Sequence, residues 1–487
     1  MNEFANISRI RSGLQSGEYS ATEWIDECLK RSSTLNENLN AFLSNGNDLA
    51  LAAAARIDQK IANNETLGPL AGVTVALKDN LVTSGQVTTA GSRILENWTP
   101  VYDAHVVQKL AQADAIFVGK TNLDEFAMGS STENSAFGPS RNPWNTQCIP
   151  GGSSGGSAVA VAAGMACVSL GSDTGGSIRQ PASLCGVLGL KPTWGRVSRY
   201  GLIAFASSLD QVGPFGRCAE DLALTLEVIA GHDSRDSTCA QQPTPNYSRS
   251  LNAGVKGLKI GLPKEYFGKG LDPEVGSAVQ TAVSELEAAG ASIVEVSLPH
   301  SEHCLAAYYL IAPAEASSNL SRFDGVRFGL REDGDKIHDM YKNTRGTGFG
   351  PEVVRRIMLG TYALSSGYYD AYYGTAQRVR TLIRQDFESA YEQCDILACP
   401  TSPITAPRLG EKSGDPLAMY LMDIYTISAN LAGIPAISMP CGLSSSKLPI
   451  GLQLMGPWFQ EEQLLQVAHA YEQRTDWHQR RPEVACD

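Results

Sequence analysis

Apolar residues first recur at helical spacing near the start of the chain, where Trp24, Ile25, Cys28 and Leu29 share one face. Ser20-Ala21-Thr22-Glu23, just before them, has the form of a capping box, so a helix is predicted to begin there. The alanine-rich stretch 49–61 predicts a second helix. The period then changes to two at Val73, Val75 and Leu77, which predicts a strand ending at Lys78. His105 to Ala113 reads as a helix feeding a short strand over 115–118, and strands and helices therefore alternate. The alternation returns later. A strand is predicted over 259–262, a helix opened by Asp272-Pro273 turns Val275, Val279, Val283 and Leu286 inward, and a strand follows over 292–298. Short apolar runs at 395–398, 436–439 and 452–454 are bounded by Pro or Gly.

One large mixed central sheet covered by helices on both faces, in a single α/β domain over 1–487, accommodates this pattern best. Within it, residues 1–65 form N-terminal helices, 66–230 the core, and 259–487 the remainder of the same domain. Two stretches depart from the alternation. Residues 231–258, polar and carrying Pro243 and Pro245, read as a surface connection. Residues 321–350, rich in charge and glycine, read as an insertion near a site or an interface. No repeat or heptad run is present.

Composition narrows the function. The chain has 487 residues, 43% of them hydrophobic and 18% charged, which suits a globular protein with a sizeable core. A net charge of -12 argues against a dominant phosphate-binding surface, so any RNA is expected to be held mainly by a partner. Residues 1–12 have no apolar signal region, and no run of about 18 apolar residues follows, so a soluble, cytoplasmic chain with no membrane partner is expected. The eleven cysteines form no CxxC pair and the seven histidines no HExxH motif. Reduced thiols and no metal site are expected.

Chemistry is concentrated in three places. Gly151-Gly152-Ser153-Ser154-Gly155-Gly156-Ser157 and Gly171-Ser172-Asp173-Thr174-Gly175-Gly176-Ser177 read as two flexible loops bearing hydroxyls, and Lys78 closes an apolar strand. Neither loop has the GK[ST] of a phosphate cradle or the GxGxxG spacing. Taken singly, each loop reads as a plain flexible turn and Lys78 as a surface lysine capping a strand. Together they suggest hydrolysis. A serine hydroxyl needs a group to take its proton, and a desolvated lysine has a lowered pKa that lets it do so. Strand alternation points Asp79 away from Lys78, so the carboxylate need not hold the amine charged. Successive N–H groups in Gly175-Gly176-Ser177-Ile178-Arg179 can converge on an oxyanion beside the serine hydroxyl.

These motifs resemble the amidase signature family. The resemblance implies a Lys-Ser-Ser triad of Lys78, Ser153 and Ser177, with Ser177 forming the acyl-enzyme, Ser153 relaying the proton and Lys78 acting as base. It also implies a cis peptide bond between Gly152 and Ser153, and oxyanion donors at Thr174, Gly175, Gly176 and Ser177. Ser154, Ser157 and Asp173 are read as local scaffolding and Arg179 as fixing the turn. Residues 126–134, Arg141-Asn142-Pro143-Trp144 and 355–373 are similar to the A-subunit branch of this family, which serves tRNA-dependent amidotransferases acting on glutamyl-tRNA(Gln) or aspartyl-tRNA(Asn). That branch implies glutamine as substrate, with Arg356 reading its α-carboxylate, Asp423 its α-ammonium, Tyr308 lining the pocket and Met128, Gly129 and Ser130 closing it. It implies no cofactor in this chain, ATP and Mg in a partner, B and C subunits completing a heterotrimer, and tRNA held mainly by the partner. The alternatives are a free-standing amidase acting on small amides and a non-catalytic scaffold.

Overall fold

The computed structural model describes residues 4–412 and 414–485. Among these, eleven strands join one sheet: β1 (Phe42–Asn45), β2 (Thr74–Lys78), β3 (Ile116–Thr121), β4 (Val168–Asp173), β5 (Leu188–Lys191), β6 (Gln211–Gly216), β7 (Lys259–Pro263), β8 (Ser292–Val296), β9 (Ile396–Pro400), β10 (Ala436–Leu443) and β11 (Pro449–Met455). Their order across the sheet is β1-β3-β2-β4-β6-β5-β10-β11-β9-β7-β8. β2 runs parallel to β3 and β4, and β7 to β8 and β9, while the remaining pairs are antiparallel. The sheet is therefore mixed and flanked by helices, the fold class expected from the alternation.

Both faces are covered, which explains why the middle strands carry almost no polar alternation. β2, β4, β5, β6 and β9 are buried throughout. In β9 the two faces separate cleanly: Ile396 and Ala398 join one apolar core, Leu397 and Cys399 the other. The helix Ala21–Leu39 begins at Ser20 with both capping-box hydrogen bonds, and Asp272 caps the helix Pro273–Ala288.

The glycine-serine motifs differ from the expected loops. Gly155, Gly156 and Ser157 open a helix, Gly155–Ala162, and Gly171, Ser172 and Asp173 are the end of β4. Only the connecting residues are turns. The physical reason is close packing: a Cβ at Gly156 would lie 2.5 Å from the Ala41 carbonyl oxygen and 2.6 Å from the Asn122 backbone. Here glycine serves proximity, and its flexibility is not used.

Within 231–258, Tyr247 and Leu251 reach into the core. Residues 321–350 include the helix Ile337–Gly348, and Phe323 and Phe349 pack on Phe126, 4.8 and 5.7 Å between ring centres. The segment thus leans on the loop that leads to Met128, Gly129 and Ser130.

Candidate active site

Lys78 ends β2 beside β4, and its side chain is fully buried. Its Nζ lies 2.8 Å from Ser153 Oγ, 2.8 Å from Ser154 Oγ and 3.0 Å from Ser172 Oγ. No carboxylate forms an ion pair with it among the described residues. Asp79 instead pairs with Lys120 at 3.1 Å, on the other side of the strand. Burial lowers the Lys78 amine to about 7, against the opposing charges of Asp124, Asp173 and Asp210. A substantial neutral fraction at neutral pH follows, and a neutral amine accepts a proton.

The bond from Gly152 to Ser153 is cis. Ser154 N donates to the carbonyl oxygen of Ser177 at 3.1 Å, which sets the two serine segments side by side. The Ser177 hydroxyl is hydrogen-bonded to no described residue, and the residue is 8% exposed. The structure brings Lys78 and Ser153 into contact. It does not draw the Ser153 and Ser177 hydroxyls into a hydrogen bond.

The turn that presents Ser177 is held by Asp173, whose carboxylate accepts from Gly176 N (2.8 Å), Ile178 N (3.1 Å) and Arg179 Nε (3.1 Å). Burial works to raise this carboxyl, but Arg179, then Lys191 and Asn430, hold it at about 2. The Gly176 N–H is committed to Asp173 and is not a free oxyanion donor, whereas the amides of Thr174, Gly175 and Ser177 donate to no described residue.

Arg356 and Asp423 lie near this turn. Arg356 sits on the helix Pro351–Ala363, 2% exposed, with Nε donating to Glu352 Oε1 at 2.7 Å. Its guanidinium is walled by Phe205, Tyr309 and Tyr420 at 5.6, 5.3 and 5.5 Å from the ring centres. Burial disfavours the charge, but the oxygens of Tyr309, Glu352, Tyr308 and Tyr420 outweigh it, and the pKa stays above the ordinary arginine value. Neither Nη group donates to a described residue, which leaves a two-pronged face for a carboxylate. Asp423 Oδ2 accepts from the Ser130 hydroxyl, while its Oδ1 is buried without a partner. Burial pushes its carboxyl up to about 7, against the Ser130 hydrogen bond and the Arg356 charge. A bound ammonium would satisfy that oxygen and restore the charge. Tyr308 packs on Gly175, where a Cβ would stand 2.7 Å from its ring, and feels the charges of both Arg356 and Asp423. Met128 is buried, and Ser130 O accepts from Gln180 Nε2 at 2.9 Å while Gln180 Oε1 accepts from Gly152 N at 2.9 Å.

Several contributors escape a sequence reading. Ser172 reaches Lys78 from β4. Asp124 accepts from Thr132 N at 2.9 Å and Asn134 N at 3.1 Å, shaping the loop below Lys78. Asp210 binds Thr174 Oγ1 at 2.6 Å and Phe205 N at 2.9 Å, linking the turn that bears Ser177 to the wall of Arg356. Thr426 Oγ1 donates to Gly175 O at 2.7 Å. An acid beside a glycine turn is the available signal for Asp124; Asp210 and Thr426 have none.

Comparison with known proteins fits this geometry. The amidase family model matches residues 23–465. The A subunit of glutamyl-tRNA(Gln) amidotransferase from Moorella thermoacetica is 61% identical over 467 residues, covering 96% of each chain. Its counterpart from Microcystis aeruginosa is 58% identical, over 98% of this chain and 99% of the other. The crystal structure of the glutamyl-tRNA(Gln) amidotransferase A subunit from Thermotoga maritima superposes with a TM-score of 0.76 at 44% identity, over 93% of this chain and 94% of that one.

Proposed function

The chain belongs to the amidase family, with glutamyl-tRNA(Gln) amidotransferase A subunits among its relatives, and we propose that it is the glutamine-hydrolysing subunit of such an amidotransferase. The observation that carries this is a buried lysine, free of any carboxylate partner among the described residues, 2.8 Å from Ser153 Oγ, with the Ser153-Ser154 segment joined to Ser177 by the Ser154 N–H to Ser177 O hydrogen bond.

Glutamine enters with its α-carboxylate on Arg356 and its α-ammonium on Asp423, Tyr308 and the 128–130 loop closing around it. Ser177 Oγ attacks the side-chain carboxamide carbon. Its proton passes to Ser153 Oγ, whose own proton passes to Lys78 Nζ. The relay requires the Ser177 hydroxyl to turn toward Ser153 when substrate binds. Negative charge on the carboxamide oxygen meets the amides of Gly175 and Ser177 and the neighbouring Thr174. Return of the proton through Ser153 releases ammonia and leaves a γ-glutamyl ester on Ser177. Water then attacks the ester by the same relay, freeing glutamate and the serine.

Ammonia is the product that matters to the complex. In this reading it passes to the B subunit, which uses ATP and Mg to activate glutamate on glutamyl-tRNA(Gln), or aspartate on aspartyl-tRNA(Asn), with the small C subunit bracing a cytoplasmic heterotrimer. The test is a Ser177→Ala complex. It is expected to lose glutamine-dependent amidation of mischarged tRNA while keeping amidation driven by added ammonium. Retained glutaminase activity in that variant would remove Ser177 as nucleophile.

A further inference from the structure

Glu125 is a buried acid that the proposed reaction does not use. It is 2% exposed and sits in the turn Glu125–Ala127, yet among the described residues no cation pairs with it. Its Oε1 accepts from Ser92 Oγ at 2.5 Å and its Oε2 from Gly350 N at 2.8 Å. Burial pushes its carboxyl up to about 7, more than these hydrogen bonds and the nearby Arg93 offset. A carboxylate held by neutral donors is costly to keep buried, which asks what its two contacts accomplish.

They join the two ends of the amino-acid pocket. From Glu125 the chain runs through Phe126 and Ala127, both at positive φ, to Ser130 and its hydrogen bond with Asp423. From Gly350 it enters the helix Pro351–Ala363, which carries Glu352 and Arg356. Gly350 caps that helix without a side chain of its own, so the Glu125 carboxylate serves its N-terminus. The carboxylate approaches so closely that a Cβ at position 350 would collide with it. Phe349 packs on Phe126 beside this link, 5.7 Å between ring centres, and Glu125 and Gly350 also border a cavity of about 370 Å³ with Arg93, Glu133 and Thr347.

We propose that Glu125 is a positioning residue: it fixes the separation between the Ser130–Asp423 end and the Arg356 end of the pocket, and so sets the preference for a substrate bearing both an α-ammonium and an α-carboxylate. This rests on the glutaminase reading above. Glu125 touches neither Lys78 nor Ser177, so its removal should blunt substrate reading and spare the nucleophile.

The experiment compares Glu125→Ala and Glu125→Gln with wild type in the assembled complex, measuring KM and kcat for glutamine and the rate at which phenylmethanesulfonyl fluoride inactivates Ser177. Misplacing one end of a two-point site costs about tenfold or more in KM for the alanine variant, with kcat within about threefold. The inactivation rate is expected to stay unchanged, and glutamine at 125, which can still accept from Gly350 and meet Ser92, is expected to restore KM. An unchanged KM overturns the proposal, as does a parallel loss of kcat and inactivation rate. If the alanine variant does not fold, Ser92→Ala removes one contact and must raise KM in the same direction; a wild-type KM there overturns it equally. A wild-type complex that is inactivated at Ser177 but does not hydrolyse glutamine sinks the glutaminase reading itself, and this inference with it.

Discussion

At the residue scale the chemistry turns on where protons sit in a dry interior. Lys78 is brought to about 7 by burial, so its neutral fraction, and with it the rate of Ser177 acylation, is expected to rise as pH climbs through that value. The same shift bears on stability. In the unfolded chain the amine stays protonated up to its ordinary 10.5, in the folded chain only to about 7, so unfolding takes up a proton between these limits. The penalty is full below pH 7 and fades toward pH 10. Lys78→Met is therefore expected to be inactive yet to gain on wild type in urea unfolding at pH 6, by a margin that shrinks toward pH 10; a margin that grows would contradict the buried neutral amine. Asp423 works in the opposite sense. Its carboxyl is raised from 3.8 to about 7, so folding takes up a proton between these values and stability falls as pH rises across them. Asp423→Asn is expected to raise the unfolding midpoint at pH 8, where wild type bears an unsatisfied charge, with no such gain below pH 3.8. Its KM for glutamine should rise by about tenfold or more, since an ammonium loses its carboxylate.

At the element scale, glycine divides what is legible from what is not. Gly156 lies in the helix Gly155–Ala162 because its missing Cβ makes room for the backbone of Ala41 and Asn122. Gly156→Ala forces backbone apart and is expected to cost about 1–3 kcal/mol, read as a lower urea midpoint. A midpoint equal to wild type would show that the helix can shift freely. A chain read alone treats a glycine-serine run as a turn, since composition marks flexibility and not contact. That is why the start of this helix and the end of β4 read as loops in the sequence. Elements with their own local signature are legible: the capping box at Ser20, the period of two leading to Lys78, and the Asp272-Pro273 start. The helix Cys304–Asn319, which carries Tyr308, has none. It is apolar on most sides, and Pro313 inside it reads as a breaker, although it packs where Gly360 of a neighbouring helix leaves room. Lys78, Ser153 and Ser177, the triad proposed here, are singled out by motif and resemblance. Their support by Ser172, Asp210 and Thr426 depends on strand pairing across long sequence separations, which no local pattern records.

For the whole molecule, the two halves of the chain meet at Arg179. Its guanidinium binds Asp173 at the end of β4, and reaches Thr426 O at 2.9 Å, Gln453 Oε1 on β11 at 2.6 Å and Asn430 Oδ1 at 2.5 Å. Asp173 and Arg179 come from the first half of the chain and the other three partners from the last, so one fully buried cation joins the nucleophile turn to the far side of the sheet. Such a pair adds little over an apolar substitute of both partners, but removing one partner strands the other charge, at about 3–5 kcal/mol. Arg179→Met is expected to lose that much at pH 7 and to lose glutaminase activity, because Asp173 would no longer hold Gly176 and Ile178 in place. The pH dependence separates this account from simple loss of packing. With Arg179 present, Asp173 is held at about 2 against 3.8 unfolded, so its contribution is complete above 3.8 and disappears as pH falls through about 2. Without Arg179, burial raises the carboxyl, and protonation relieves the variant as pH falls. The gap in urea midpoint between wild type and Arg179→Met is therefore expected to narrow steadily from pH 7 to pH 3. A gap of constant width would mean that Arg179 fills space between the halves and that its charge holds nothing.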